Sequence, residues 1–261
     1  MEYELTLVWV LALLISGFVA GFINTIAGGG SMLTLPALMM LGMPADIANA
    51  TNRVGVLLQS IAGVKGFHDQ DRLDKQAIGP VLVPCLAGAL VGALLASYLP
   101  VSALKPILLI TMVGMALVML IKPAAVIPLP GTEPLALKAN PKAAWGLFAA
   151  GLYGGFIQAG VGFILIAALA GGLRYDLVRT NALKMVCTAV LSFVALVVFV
   201  ARDQVWWVPG LVLAGGMTAG AAVSVRFAIS VSQTALKWIL FVMVCLTCGG
   251  AFFCSKTCCY P

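Results

Sequence analysis

"INTIAGGGSMLTLP", residues 23–36, decides how this chain is read. Three consecutive glycines, an asparagine and a proline break helices, because glycine loses more backbone freedom on ordering and proline lacks an amide donor. Yet the stretch lies in a run that carries no charge from Leu5 to Ala45. Unwound backbone at membrane depth has to be buried in protein or line a cavity, since each unpaired amide in hydrocarbon costs several kcal/mol. Ala27 to Ser31 is therefore expected to belong to a binding site.

The rest of the chain has the same grade. It is 62% hydrophobic and 9% charged, with a mean hydropathy of +1.10, outside the range of a soluble domain of this size. A spanning helix takes about 20 apolar residues. Uncharged runs of that order recur at 5–45, 76–104, 106–121, 143–173, 185–201, 204–225 and 238–255, with a shorter apolar run at 54–64. They leave no room for a soluble domain, and the first run, without a basic n-region, does not read as a removable signal peptide. The net charge of +6 reports topology in such a chain, so nucleic acid is not an expected partner and the lipid bilayer is. Of the seven cysteines, Cys245 and Cys248 form a CxxC inside an apolar run and read as packing residues. The tail "CSKTCCYP" leaves metal binding or a terminal irregularity open.

The chain also repeats itself. "GFVAGFIN" at 17–24 matches "GLYGGFIQ" at 151–158, and the Thr-Asn of "ATNRVGVLLQS" at 50–60 matches that of "RTNALKMVCTA" at 179–189. "GALVGA" at 88–93 matches "GMTAGA" at 216–221, and "VSALKPILLI" at 101–110 matches "VSQTALKWILFV" at 231–242. The matches are collinear, with offsets of 134, 129, 128 and about 132 residues, which is the signature of a duplication. Residues 1–121 and 143–261 are thus two homologous repeats of about 130 residues, and the proline-containing segment 122–142 is the loop between them. The GxxxG pairs Gly17/Gly21, Gly88/Gly92, Gly151/Gly155 and Gly216/Gly220 let helices approach closely, within one chain or across a homodimer.

If each glycine break turns the chain back, the repeats are inverted. Ten basic residues then fall on one side, in 65–75, 122–142, 174–179 and 226–237, against Lys105, Arg202 and Lys256 on the other. If each break only kinks one crossing, the split is eight to five. The positive-inside rule favours inversion.

Paired broken helices point to the substrate site of a repeat transporter. The candidates are Asn24, Gly28, Gly29, Gly30 and Ser31 in the first half, with Gln158, Gly160 and Gly162 as counterparts. Glycine permits close approach, and freed amides at a helix start face an anion. Thr51-Asn52 and Thr180-Asn181 read as N-caps that start the following helices. Arg53 and Lys184 stand close behind them as intramembrane or interfacial cations. Asp46 and Asp176 are open to proton coupling, to pairing with those cations or to plain capping, and His68 reads as a solvated loop residue of 65–75. No nucleophile–base–acid trio, metal quartet or cofactor fingerprint accompanies them, so neither an enzyme, a metal nor a cofactor is expected.

"GFINTIAGGGSMLTLPAL" at 21–38, "ANATNRVGVLLQS" at 48–60, "GALVGALLA" at 88–96 and "RTN" at 179–181 resemble the TauE/SafE sulfite-exporter family. The similarity runs from Leu7 to about Phe253, and Val161 and Phe163 interrupt what in the family is a cleaner glycine motif. The resemblance implies a secondary carrier of the bacterial inner membrane, built from two four-helix repeats, that moves sulfite or related organosulfonates. The expectation is an all-α polytopic membrane protein with eight spanning helices, short broken or re-entrant segments and inverted repeats. Its partners would be a small anion and a coupling ion such as the proton.

Overall fold

The computed structural model describes residues 6–121 and 132–230, whose regular structure is entirely helical. Helix α1 (Leu7–Ile26) ends at the glycine break, and α2 (Ser31–Met40) follows it. The first half continues through α3 (Ala45–Asp69), α4 (Lys75–Tyr98) and α5 (Val101–Ile121). The second half holds α6 (Pro141–Phe156), α7 (Val161–Ile166) with a π-helical turn at Ala167–Gly172, α8 (Leu177–Val200) and α9 (Trp207–Ser230). The Leu-Lys segment of the second half, the CxxC and the cysteine-rich tail lie outside the described residues.

Among the described residues, four helices, α1, α4, α8 and α9, are long and apolar enough to cross a membrane. Their outward positions are bare hydrocarbon side chains, such as Val83, Leu86 and Leu90 on α4 and Val208 and Leu211 on α9. That is the inverse of a water-facing surface. Helix α3 is as long as these four but too polar to stand in lipid. Its Thr51, Asn52, Arg53, Gln59 and Ser60 are all buried, so protein surrounds it on the faces that matter.

Glycine contacts set the helix directions. Gly17 and Gly21 lie against Leu213 and Met217, and Gly216 and Gly220 against Leu14 and Phe18, so α1 and α9 run parallel. Gly55 and Gly66 of α3 meet Met217 and Val225 of α9, which aligns α3 with both. Gly88 and Gly92 face Phe148 and Leu152, while Gly151 and Gly155 face Cys85 and Ala89, so α4 and α6 are parallel. Helix α8 runs with α4, sharing one cluster through Cys85 and Cys187 and another through Ala96 and Phe199. It runs against α3, because Gly63 abuts Met185 and Arg53 lies over the Phe199 ring. Helices α1, α3 and α9 therefore point one way and α4, α6 and α8 the other. Since α1 and α3 are parallel, α2 carries the chain back between them, so the glycine break reverses direction.

The GxxxG pairs are used within the chain. A Cβ on Gly220 would sit 2.1 Å from the Phe18 carbonyl oxygen, whereas one on Gly79 would meet nothing within 4 Å. Gly220→Ala is expected to destabilise the protein by about 2 kcal/mol through overpacking. Gly79→Ala should be neutral or slightly stabilising on helix propensity. Thermal melts of the two purified variants in detergent compare them directly.

Two local expectations need correction. The Thr-Asn pairs do not start helices: α3 begins at Ala45 after Pro44, which puts Thr51 and Asn52 about two turns inside it. Helix α8 is capped by Asp176, whose carboxylate accepts from the Val178 and Arg179 amides at 3.0 Å, with Thr180 already in the first turn. An Asp placed four residues earlier, at the cap itself, competes better for the free amides than a threonine already in helical conformation. In addition, α3 continues through Asp69, so His68 is an exposed residue of its last turn and the connecting loop is shorter than 65–75.

Candidate functional site

The two glycine breaks meet. Gly28 (φ +96°) and Gly162 face each other so closely that a Cβ on Gly28 would lie 2.4 Å from the Gly162 Cα. Gly160 (φ +79°) and Gln158 (φ +70°) give the second break its left-handed turn. Gly30 is pressed against Ala20, with its would-be Cβ 2.2 Å from that carbonyl oxygen. At the start of α2 the amides of Met32 and Leu33 bond the Gly29 and Gly30 carbonyls at 3.0 Å, and Thr34 bonds Gly30 at 3.3 Å. The amides of Gly29, Gly30 and Ser31 make no backbone hydrogen bond among the described residues and are grouped at the positive end of a helix.

The two cations serve the opposite ends, where carbonyls need donors. Lys184 Nζ donates to the carbonyl oxygens of Asn24 (2.9 Å) and Thr25 (2.8 Å) in the last turn of α1, and to Asn181 Oδ1 (2.9 Å). All three of its donors are thereby engaged. Arg53 reaches the last turn of α6, donating from NH2 to the Gly155 carbonyl at 2.9 Å and from NH1 to the Gly154 carbonyl and Gln158 Oε1. Asn49 Nδ2 adds a bond to the Phe156 carbonyl at 3.0 Å. Each first helix thus ends on a cation from the other half, which satisfies its terminal carbonyls and offsets the negative end of its dipole. Arg53 also sits 5.6 Å from the centroid of the Phe199 ring, and its Nε has no partner among the described residues.

The remaining candidates brace these elements. Asn52 Nδ2 donates to Ser31 Oγ at 3.1 Å, and Thr34 Oγ1 donates to Asn52 Oδ1 at 2.6 Å, so Asn52 clasps the start of α2. Thr51 Oγ1 accepts from the Trp206 amide (3.0 Å), and Thr180 Oγ1 donates to the Tyr175 carbonyl (3.1 Å). Asp176 pairs with Arg179 at 3.5 Å and is partly exposed, while Asp46, in the first turn of α3, has an Oδ1 without a partner among the described residues. Tyr175 donates to Asp74 Oδ2 at 3.1 Å and so ties the α3–α4 loop to the start of α8. Burial, reinforced by the Asp74 carboxylate, pushes its phenol up to about 12, which keeps it a donor at neutral pH. None of the polar candidates from Asn24 to Lys184 on the two breaks and the Thr-Asn segments is more than 5% exposed, so the arrangement is closed to both sides.

Reading the sequence missed Thr34, Asn49, Gln59, Ser60 and Ser192. Gln59 carried a usable signal, an amide inside the uncharged run 54–64, since polar groups at membrane depth mark function. The serines and Thr34 carried none, because a hydroxyl can return its proton to its own helix.

A helical membrane protein whose two broken helices meet through glycines, each capped by a buried cation, has the build of a membrane transporter. Residues 13–250 match the family model described as Sulfite exporter TauE/SafE, and the chain belongs to that family. It is 27% identical over 230 residues to a Haemophilus influenzae protein named "Probable membrane transporter protein", covering 87% of this chain and 88% of the relative. It is also 27% identical to "Probable membrane transporter protein ORF9" of a Sinorhizobium species, with 88% and 87% covered. The Escherichia coli K12 protein "Probable membrane transporter protein YfcA" is likewise 27% identical, with 86% and 82% covered.

Proposed function

We propose that this membrane transporter exports small sulfur-containing anions, sulfite or organosulfonates, across the bacterial inner membrane by alternating access around one central site. The observation that carries the reading is the division of labour at the two breaks. Lys184 and Arg53 neutralise the helix ends that would repel an anion, and the Gly29, Gly30 and Ser31 amides stay available at an end that attracts one. The cations act through the helix termini rather than as bare charges, which suits a substrate that has to be released as well as bound.

Inverted repeats at 1–121 and 143–261, with eight spans, are part of the proposal. The opposite directions of α1 and α6, of α3 and α8, and of α4 and α9 support it, as does the reciprocal packing of α1 on α9 and of α6 on α4. A proton is the proposed coupling ion, and Asp46, with one carboxylate oxygen unpartnered among the described residues, is its proposed carrier, since Asp176 is engaged as a cap.

The test is uptake of labelled sulfite, thiosulfate and small sulfonates by proteoliposomes under imposed pH and voltage gradients, with Arg53→Ala beside the wild type. Saturable flux of one sulfur anion is expected, falling about thirtyfold or more in Arg53→Ala, since truncating a buried, hydrogen-bonded charge costs about 2–5 kcal/mol. Absence of flux for every sulfur anion in folded wild-type protein would sink the substrate class. Currents far above carrier turnover would replace the carrier with a channel.

A further inference from the structure

Between the levels of the two cations, the α3–α8 crossing holds polar atoms without a partner among the described residues. Gln59 is fully buried with both Nε2 and Oε1 unpartnered among the described residues, and the buried hydroxyls of Ser60 and Ser192 are also unpartnered. The antiparallel register runs from Arg53 beside Phe199 to Gly63 beside Met185, which sets Gln59 and Ser60 within a turn of Ser192. Gln59 lies two turns beyond Asn52 on the same face of α3. Thr188 lies two turns beyond Asn181 on α8, and Asn181 Nδ2 is a further unpartnered donor. Each such group left bare in an apolar interior is destabilising, so a cluster of them at the meeting of two central helices calls for a polar partner that the described residues do not supply.

We infer that Gln59, with Ser60 and Ser192, is a second, charge-neutral part of the substrate site, and that it selects a monoanion bearing a hydrogen-bond donor of its own. The inference rests on the transport reading above and narrows its substrate class. An amide offers one face that donates and one that accepts. A fully deprotonated oxyanion has only acceptors, so it would leave Gln59 Oε1 bare, or repelled, inside the protein. A protonated oxyanion, or a sulfonate with a hydroxyl group, satisfies both faces at once. Discrimination of this kind is strong because the ligand lacking the donor leaves a buried acceptor unpaired.

The experiment compares 2-hydroxyethanesulfonate with propane-1-sulfonate, two anions of equal charge and similar size of which only the first carries a donor. Wild type in proteoliposomes should favour the hydroxylated anion by about tenfold or more in kcat/KM. In Gln59→Met the ratio should fall close to one, and in Ser192→Ala it should fall severalfold. Because the ratio is internal to each preparation, it does not depend on how much folded protein a variant yields. Equal kcat/KM for both anions in wild type, or a preference that survives in both variants, would overturn the inference while leaving the transporter reading intact. No flux of either sulfonate, and no thermal shift of the purified protein by either, would overturn the inference, whereas the transport reading falls only if sulfite and thiosulfate also fail to move.

Discussion

Gly28→Ala is expected to yield protein that does not survive purification as a monodisperse species. The new methyl would sit 2.4 Å from the Gly162 Cα and 2.7 Å from its carbonyl carbon, backbone on backbone, with no flexible side chain to give way. It would also hold alanine at φ +96°. Left-handed strain costs about 1–2 kcal/mol and overpacking about 1–3 kcal/mol or more. Together they take up much of the stability of an ordinary domain, about 5–15 kcal/mol. Gly42→Ala separates the two terms, because Gly42 has φ +84° but nothing within 4 Å of its would-be Cβ. It should lose about 1 kcal/mol and purify normally. Size-exclusion profiles and melting temperatures of the pair measure the difference, and equal behaviour would mean that the breaks do not touch.

Lys184→Met should destabilise the protein by about 2–4 kcal/mol and abolish transport. Methionine fills a similar volume but removes three hydrogen bonds and leaves the Asn24 and Thr25 carbonyls buried without a donor. The end of α1 should then fray, seen as faster amide hydrogen exchange from Ile26 through Gly30. Unchanged exchange there, with transport lost, would show that the lysine acts on the substrate directly and not through the helix end.

These predictions depend on long-range pairings that differ in how far they could be read in advance. The two glycine breaks, the GxxxG pairs and the buried Thr-Asn segments stand out locally, because glycine, proline and polar side chains are costly in an apolar chain wherever they occur. Arg53 and Lys184 were visible as residues but not in their roles. Arg53 bonds carbonyls 101 and 102 positions away, and Lys184 bonds carbonyls 160 and 159 positions away. A carbonyl is present at every residue, so nothing in its sequence surroundings marks it as a partner.

The amino-acid sequence by itself determined that the chain lies in a membrane, that it is helical and where its first helices break. Each follows from the local free energy of placing a residue in hydrocarbon or in a helix. Tertiary structure alone decided that Gly28 meets Gly162, that the cations cap the opposite half's helices and that Gln59 has no partner among the described residues. Those outcomes depend on how whole helices pack, and packing sums many weak contacts between residues far apart in the chain, none of which has a signature of its own.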